Sequence, residues 1–234
     1  MRLDLLGGFE LSAGGHPFAL PLSAQRLLAL LAVQERPVSR TWVAGTLWPD
    51  KDEARAAANL RSTLWRLRQP NVELVVATAD RLAIAPGVDV DLHRARDLSW
   101  RILDGGSIDH DGRVPPELLA GDLLTDWYDD WVVVEQERMR QLRVHALEEL
   151  CQGLDALGRS AAAVDAGLLA ARCDPLRESA QRALIVAYIH EGNRAEAFRQ
   201  YRRYVSVLRA ELGIEPSREL SALFDTAAGT SMAG

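Results

Sequence analysis

The sequence predicts a mainly α protein in two parts: small β-sheets around three helices first, then an all-α helical region. Three observations carry this. Strand-spaced apolar pairs lie at both ends of residues 1–91, and three helical segments lie between them. From Leu92 onward the chain is Ala-, Leu- and Arg-rich with hardly a strand candidate. The expected division is 1–91, 92–226 and a flexible tail at 227–234. A chain of 234 residues, 48% hydrophobic and 26% charged, suits two ordinary domains.

The elements follow in order. Leu3/Leu5 and Phe9/Leu11 have strand spacing, with Gly14-Gly15 as a tight turn before Pro17-Phe18-Ala19-Leu20. Ser23 is the expected cap of a first helix running to about Val33, with Leu27, Leu28, Leu30 and Leu31 as its buried stripe and Pro37 beyond it. Ser39 caps a second, short helix, Arg40 to Leu47, which Trp48-Pro49 ends. Asp52 caps a third and longer helix that stops at Gln69-Pro70. Leu74–Ala77 and Arg81–Ile84, joined through Thr78-Ala79-Asp80, have the spacing of a β-hairpin.

The second part contains a repeat. Leu154, Gly158, Ala161 and Ala163 recur as Tyr188, Gly192, Ala195 and Ala197, all at an offset of 34, the tetratricopeptide length. A glycine at the turn with small residues just beyond it lets two helices pack closely. Asp174-Pro175 falls where a helix pair should turn. The second unit departs from the pattern at Arg209, where a proline is expected, and Pro216 follows it.

The net charge of −6 is unevenly spread. Residues 1–92 hold 10 basic and 10 acidic side chains, so the whole deficit lies after them. Ala54 to Val72 contains Arg55, Arg61, Arg66 and Arg68 and no acid. Phosphate contact depends on local charge within about 8–10 Å, so an acidic total does not veto DNA. Two cysteines, Cys151 and Cys173, make neither a disulfide framework nor a zinc site. No apolar run approaches the roughly 20 residues that span a bilayer, and the first residues do not read as a signal peptide. A cytoplasmic protein is the expectation.

The third helix has two faces. With Leu60 as origin and about 100° per residue, Ala56, Ala57, Leu64 and Leu67 fall on one apolar side. Arg55, Ala58, Asn59, Ser62, Arg66 and Gln69 fall opposite. Arg pairs bidentately with guanine, Asn or Gln with adenine, and a small Ala58 permits close approach, so this side suits a major groove. Arg61 and Arg68 flank the apolar stripe at angles suited to phosphates. Trp65 is expected to pack on the preceding loop or on the hairpin. A short helix before and a hairpin after make the arrangement a winged helix-turn-helix. Arg81 is then a wing contact, and Arg40 and Thr41 at the second helix's start are phosphate candidates.

These residues resemble the Streptomyces antibiotic regulatory protein family, which joins an OmpR-like winged helix to a bacterial transcriptional activator domain. The likeness rests on Leu47-Trp48-Pro49-Asp50, Ala57 to Ser62 and Leu64 to Arg68, then on Trp127 to Val132, Asp174 to Glu178, Glu191 to Ala197, Gln200 to Tyr204 and Glu211 to Ser217. The resemblance implies an activator that binds tandem direct repeats upstream of promoters of secondary-metabolite genes and recruits RNA polymerase, with a homodimer possible on DNA. It also implies a polymerase-facing loop, here Trp48, Asp50, Asp52 and Glu53. No phosphate-binding G-x-x-x-x-G-K-[ST] motif occurs, so the small two-domain form is expected.

No catalytic residue, cofactor or metal is expected. His16, His93, His110, His145 and His190 lack metal-ligand spacing, and Asp109-His110-Asp111 reads as a solvated loop. Asp126, Asp129, Asp130, Glu135 and Glu137 are expected to serve a helix start through capping and the helix dipole. Both cysteines read as buried structural thiols. The competing function is a tetratricopeptide-like adaptor or ligand sensor without autonomous DNA binding.

Overall fold

The computed structural model describes residues 1–68, 73–105 and 119–225. Among them are β1 (Arg2–Asp4), β2 (Glu10–Ala13), β3 (His16–Pro17), α1 (Leu22–Gln34), β4 (Val38–Ser39), α2 (Arg40–Leu47) and α3 (Glu53–Leu67). Then come β5 (Val75–Ala77), β6 (Arg81–Ile84), β7 (Asp89–Val90) and α4 (Asp91–Leu103). Five helices follow: α5 (Asp130–Ala156), α6 (Ser160–Cys173), α7 (Glu178–His190), α8 (Arg194–Leu212) and α9 (Arg218–Asp225). The mainly α class, with small N-terminal sheets and a helical second part, is the one the sequence predicts. Gln69, the Asp109-His110-Asp111 loop and the 227–234 tail lie outside the described residues.

The described chain forms two compact units, one of residues 1–98 with 119–139, the other of 99–105 with 140–225. The first unit holds two sheets. One has the order β3-β2-β1-β7, antiparallel except for a parallel β1–β7 pair. Its register sets Leu3 opposite both Leu11 and Val90, and all three are buried. The other sheet has the order β4-β6-β5 and contains the expected hairpin, with Val75 opposite Ile84 and Ala77 opposite Leu82. Helix α1 packs against α2, α3 and β6. Its expected leucine stripe is buried, and so are Ala24, Ala29 and Ala32, because neighbours cover it on several sides.

Ser23 does not cap α1. Pro21 occupies the cap position, and its carbonyl accepts from Ala24 and Gln25 N–H at 2.9 and 3.1 Å. Ser23 lies inside the helix as its second residue, so it cannot be the flanking cap, while the fixed φ of Pro21 suits the position just before the first turn.

Residues 119–139 complete the first unit, which local sequence does not foretell. Leu124 N–H donates to Leu5 C=O at 2.8 Å, and Trp127 stacks on Phe9 with ring centroids 6.0 Å apart. Asp91, at the start of α4, accepts from Leu5 and Leu6 N–H at 2.8 and 2.9 Å and from Leu92 N–H at 2.7 Å. Two acids near the start of α5 are ion-paired. Asp129 pairs with Arg26, and buried Glu135 pairs with Arg96 at 3.1 Å and with Arg138 at 2.9 Å. Arginines therefore add ion pairs to the helix-start role expected of these two acids.

In the second unit the repeat is visible bond by bond. Gly158 N–H donates to Asp155 C=O at 2.9 Å, and Gly192 N–H to Ile189 C=O at 3.0 Å. Arg159 donates to Leu154 C=O and Asn193 to Tyr188 C=O, at 2.9 and 2.8 Å. Both glycines have left-handed φ, 71° and 85°, which is why glycine returns at this place. Ala163 and Ala197 are fully buried. Gly167 on α6 adds a close approach, since a Cβ there would lie 3.0 Å from Leu184 Cα on α7. Helix α9 closes on a core of Ile185, Ala197, Tyr204, Leu208 and Leu220. Ser217 anchors it by donating its N–H to Glu178 Oε2 at 2.9 Å.

Candidate nucleic-acid interface

The interface is built on two capped helices and a hairpin. Ser39 Oγ accepts from Trp42 N–H at 3.1 Å, and Asp52 Oδ1 accepts from Arg55 N–H at 2.8 Å, so both expected caps form. The apolar side of α3 buries Ala56, Leu60 and Leu67. Thr63 is buried with them, a position that the wheel places on the same side and that its hydroxyl disguises. Leu64 is only half-buried, at the edge of the stripe.

The hairpin is fixed to the start of α2. Arg40 N–H donates to Asp80 C=O at 2.8 Å, and its guanidinium donates to Thr78 C=O at 2.7 Å. Arg81 donates to Pro37 C=O at 3.2 Å and lies 3.7 Å from Asp80. Both arginines therefore orient the wing. Arg40 is half-buried, Thr41 is exposed beside it, and Arg81 remains largely exposed.

On the outer side of α3, Arg55, Ala58, Ser62 and Arg66 are exposed and Asn59 is half-buried. Arg55 pairs loosely with Asp52 at 3.5 Å. Arg61, Arg66 and Arg68 are exposed and meet no acid among the described residues. Three unneutralised guanidinium groups, two on α3 and one just past its end, create a local positive field despite the acidic total. Trp65 does not pack on the loop or the wing. It is 73% exposed, in keeping with its outward angle on the helix. In the loop before α3, Trp48 is half-buried, while Asp50, Asp52 and Glu53 are exposed.

Elsewhere the chemistry is structural. Burial, with Asp155 nearby, pushes the Cys151 thiol up to about 12, far from the thiolate that reactivity requires. Cys173 is only half-buried, which corrects the expectation for that thiol, and Arg143 donates to its sulfur at 3.4 Å. His93 bonds Ala32 C=O at 2.7 Å, and His190 meets Asp155 at 2.7 Å. No group of side chains among the described residues is arranged to hold a metal. No described helix is long and apolar enough to cross a membrane.

Residues 117–226 match the bacterial transcriptional activator domain family. Regulatory protein AfsR of Streptomyces coelicolor is 30% identical over 241 residues, an alignment covering 95% of this chain and 24% of AfsR. These likenesses support the resemblance to the Streptomyces antibiotic regulatory protein family of transcriptional activators. The chain spans about a quarter of the length of AfsR. The solved structure of Mycobacterium tuberculosis EmbR in complex with a low-affinity phosphopeptide is similar over 100% of this chain and 66% of that one. Its TM-score is 0.72 at 23% identity, a likeness of fold. The proteins this chain is similar to are transcriptional regulators, which are not a class of enzymes.

Proposed function

We propose that this protein is a cytoplasmic activator that reads duplex DNA with α3 in the major groove and the β5–β6 wing along the backbone. The observation that carries the reading is the trio Arg61, Arg66 and Arg68, exposed on α3 and at its C-terminal end with no acid to neutralise them among the described residues. Arg55, Asn59, Ser62, Arg66 and Gln69 would face base edges, with Arg40, Thr41, Arg61 and Arg68 on phosphates and Arg81 on the wing. Residues 1–91 act as the DNA-binding domain and 92–226 as the activator domain. The sites are tandem direct repeats near promoters of secondary-metabolite genes, occupied by two copies. Trp48, Asp50, Asp52 and Glu53 offer an acidic loop to RNA polymerase, whose recruitment activates transcription.

The test is to incubate the folded protein with fragmented genomic DNA from its source, then recover and sequence what binds. Enrichment of tandem repeats beside promoters, with affinity that falls steeply as salt rises, supports the reading. Salt-insensitive or absent duplex binding overturns it and leaves the helical adaptor.

A further inference from the structure

We infer that Trp65 reads sequence as well, by placing its indole against the C5-methyl group of a thymine in the major groove. This rests on the duplex-DNA reading above and adds to it an apolar contact where charge alone gives no discrimination. Tryptophan carries one of the largest apolar areas of any side chain, yet here it is 73% exposed on α3. It has no aromatic partner among the described residues and no role in holding the helix, whose packing side is Ala56, Leu60, Thr63 and Leu67. Its helical neighbours at three, four and seven positions back are Ser62, Arg61 and Ala58, all exposed.

The surroundings select the partner. Ala58 and Ser62 are short, so the indole stands above the helix surface with room for a groove wall on that side. Arg61 precedes it by one turn, and Arg66 and Arg68 follow it, all without acidic partners among the described residues. An apolar protein surface would have to bury those guanidinium groups unpaired, at a large desolvation cost. A polyanion neutralises them and presents an apolar group beside its phosphates. Among the base edges of the major groove, only thymine offers one, its methyl.

The test uses a single-site duplex selected from a randomised pool by the wild-type protein, with each thymine replaced in turn by deoxyuridine, which removes only the methyl. The wild type should lose about fourfold in affinity at one thymine, the ratio that burying one carbon-sized apolar group commands. W65A should bind more weakly and show no loss on that replacement, while R61A should bind more weakly and retain it. W100A removes an exposed tryptophan of the other compact unit and should behave as wild type. Unchanged thermal melting of W65A checks the fold. If the wild type selects no duplex, the DNA reading fails and this inference falls with it. If the wild type binds but no deoxyuridine costs affinity, or W65A keeps the wild-type dependence, the inference alone is overturned. A W65A defect confined to two-site duplexes also overturns it, and would place the ring against a second copy of the chain.

Discussion

Arginine is used in opposite ways in two regions of this molecule. On α3 and at its C-terminal end, Arg61, Arg66 and Arg68 stand exposed without acidic partners among the described residues. In the helical unit, Arg177 forks onto Glu148 at 2.8 and 3.2 Å, Arg140 meets Asp174 at 2.7 Å, and Arg209 forks onto Glu215 at 2.7 and 2.9 Å. One side chain fixes helix to helix where a carboxylate waits and offers charge outward where none does. The contrast shows that the arginine count says little; the acids within reach decide which arginines remain available for another molecule.

Removing a structural arginine should cost the most. Glu148 is buried and also accepts from Ser179 Oγ at 2.6 Å, so Arg177→Ala leaves a carboxylate facing the interior with its main partner gone. The expected loss is about 3 kcal/mol in urea unfolding. The pair Arg177→Met with Glu148→Leu should recover much of it. Duplex affinity of the folded fraction should not change, and a loss equal to that of Arg66→Ala would break the division between the two uses.

Asp91 comes next. Replacing it by alanine strands the buried N–H of Leu5 and should cost about 2 kcal/mol. Its pH behaviour runs against the usual carboxylate pattern. Burial holds its pKa above the ordinary range, outweighing the N–H groups of Leu6, Leu5 and Leu92. The native state therefore binds this proton more readily than the unfolded chain. The stabilisation linked to that proton is complete below the unfolded value of about 4 and fades as pH rises through the folded one. Unfolding curves of wild type and Asp91→Asn across that range should show the wild-type advantage shrinking as pH rises.

What the sequence makes legible is local. Ser39 and Asp52 cap as expected because a cap bonds to an N–H three residues away. The 34-residue spacing survives as matching turn bonds around Gly158 and Gly192 because each repeat is a self-contained helix pair. Distant partners escape such reading. Nothing near Leu123 announces its bridge to Leu6, nothing near Asp129 announces Arg26, and Gly167 gains its meaning only from Leu184. At the interface, the wheel separates the two sides of α3 and sets Trp65 outward, but the expectation that so large an apolar ring packs on the loop or the wing does not hold.

On DNA the contrast sharpens. Arg66→Ala should cost about 1–3 kcal/mol in binding and relax one base preference. An unchanged binding motif would remove Arg66 from the base-reading set. Arg61→Ala should weaken all duplexes alike and lower the salt slope by about one, as loss of a phosphate contact does. A loss confined to one base position would contradict that role.

The smallest effect belongs to Arg209, as exposed as the arginines of α3 but with a partner. Its fork onto Glu215 spans the end of α8, where the left-handed Gly213 turns the chain. The side-chain hydrogen bond from Arg209 holds the Glu215 carboxyl below its ordinary range, yet both groups stand in water. Arg209→Ala should return the Glu215 titration, followed by NMR, to the usual carboxylate range and leave thermal melting where it was. It should also leave the salt slope of duplex binding intact, which Arg61→Ala does not. A fall in salt slope for both variants would show that exposure alone recruits an arginine to DNA, and the role assigned to neighbouring acids would be wrong.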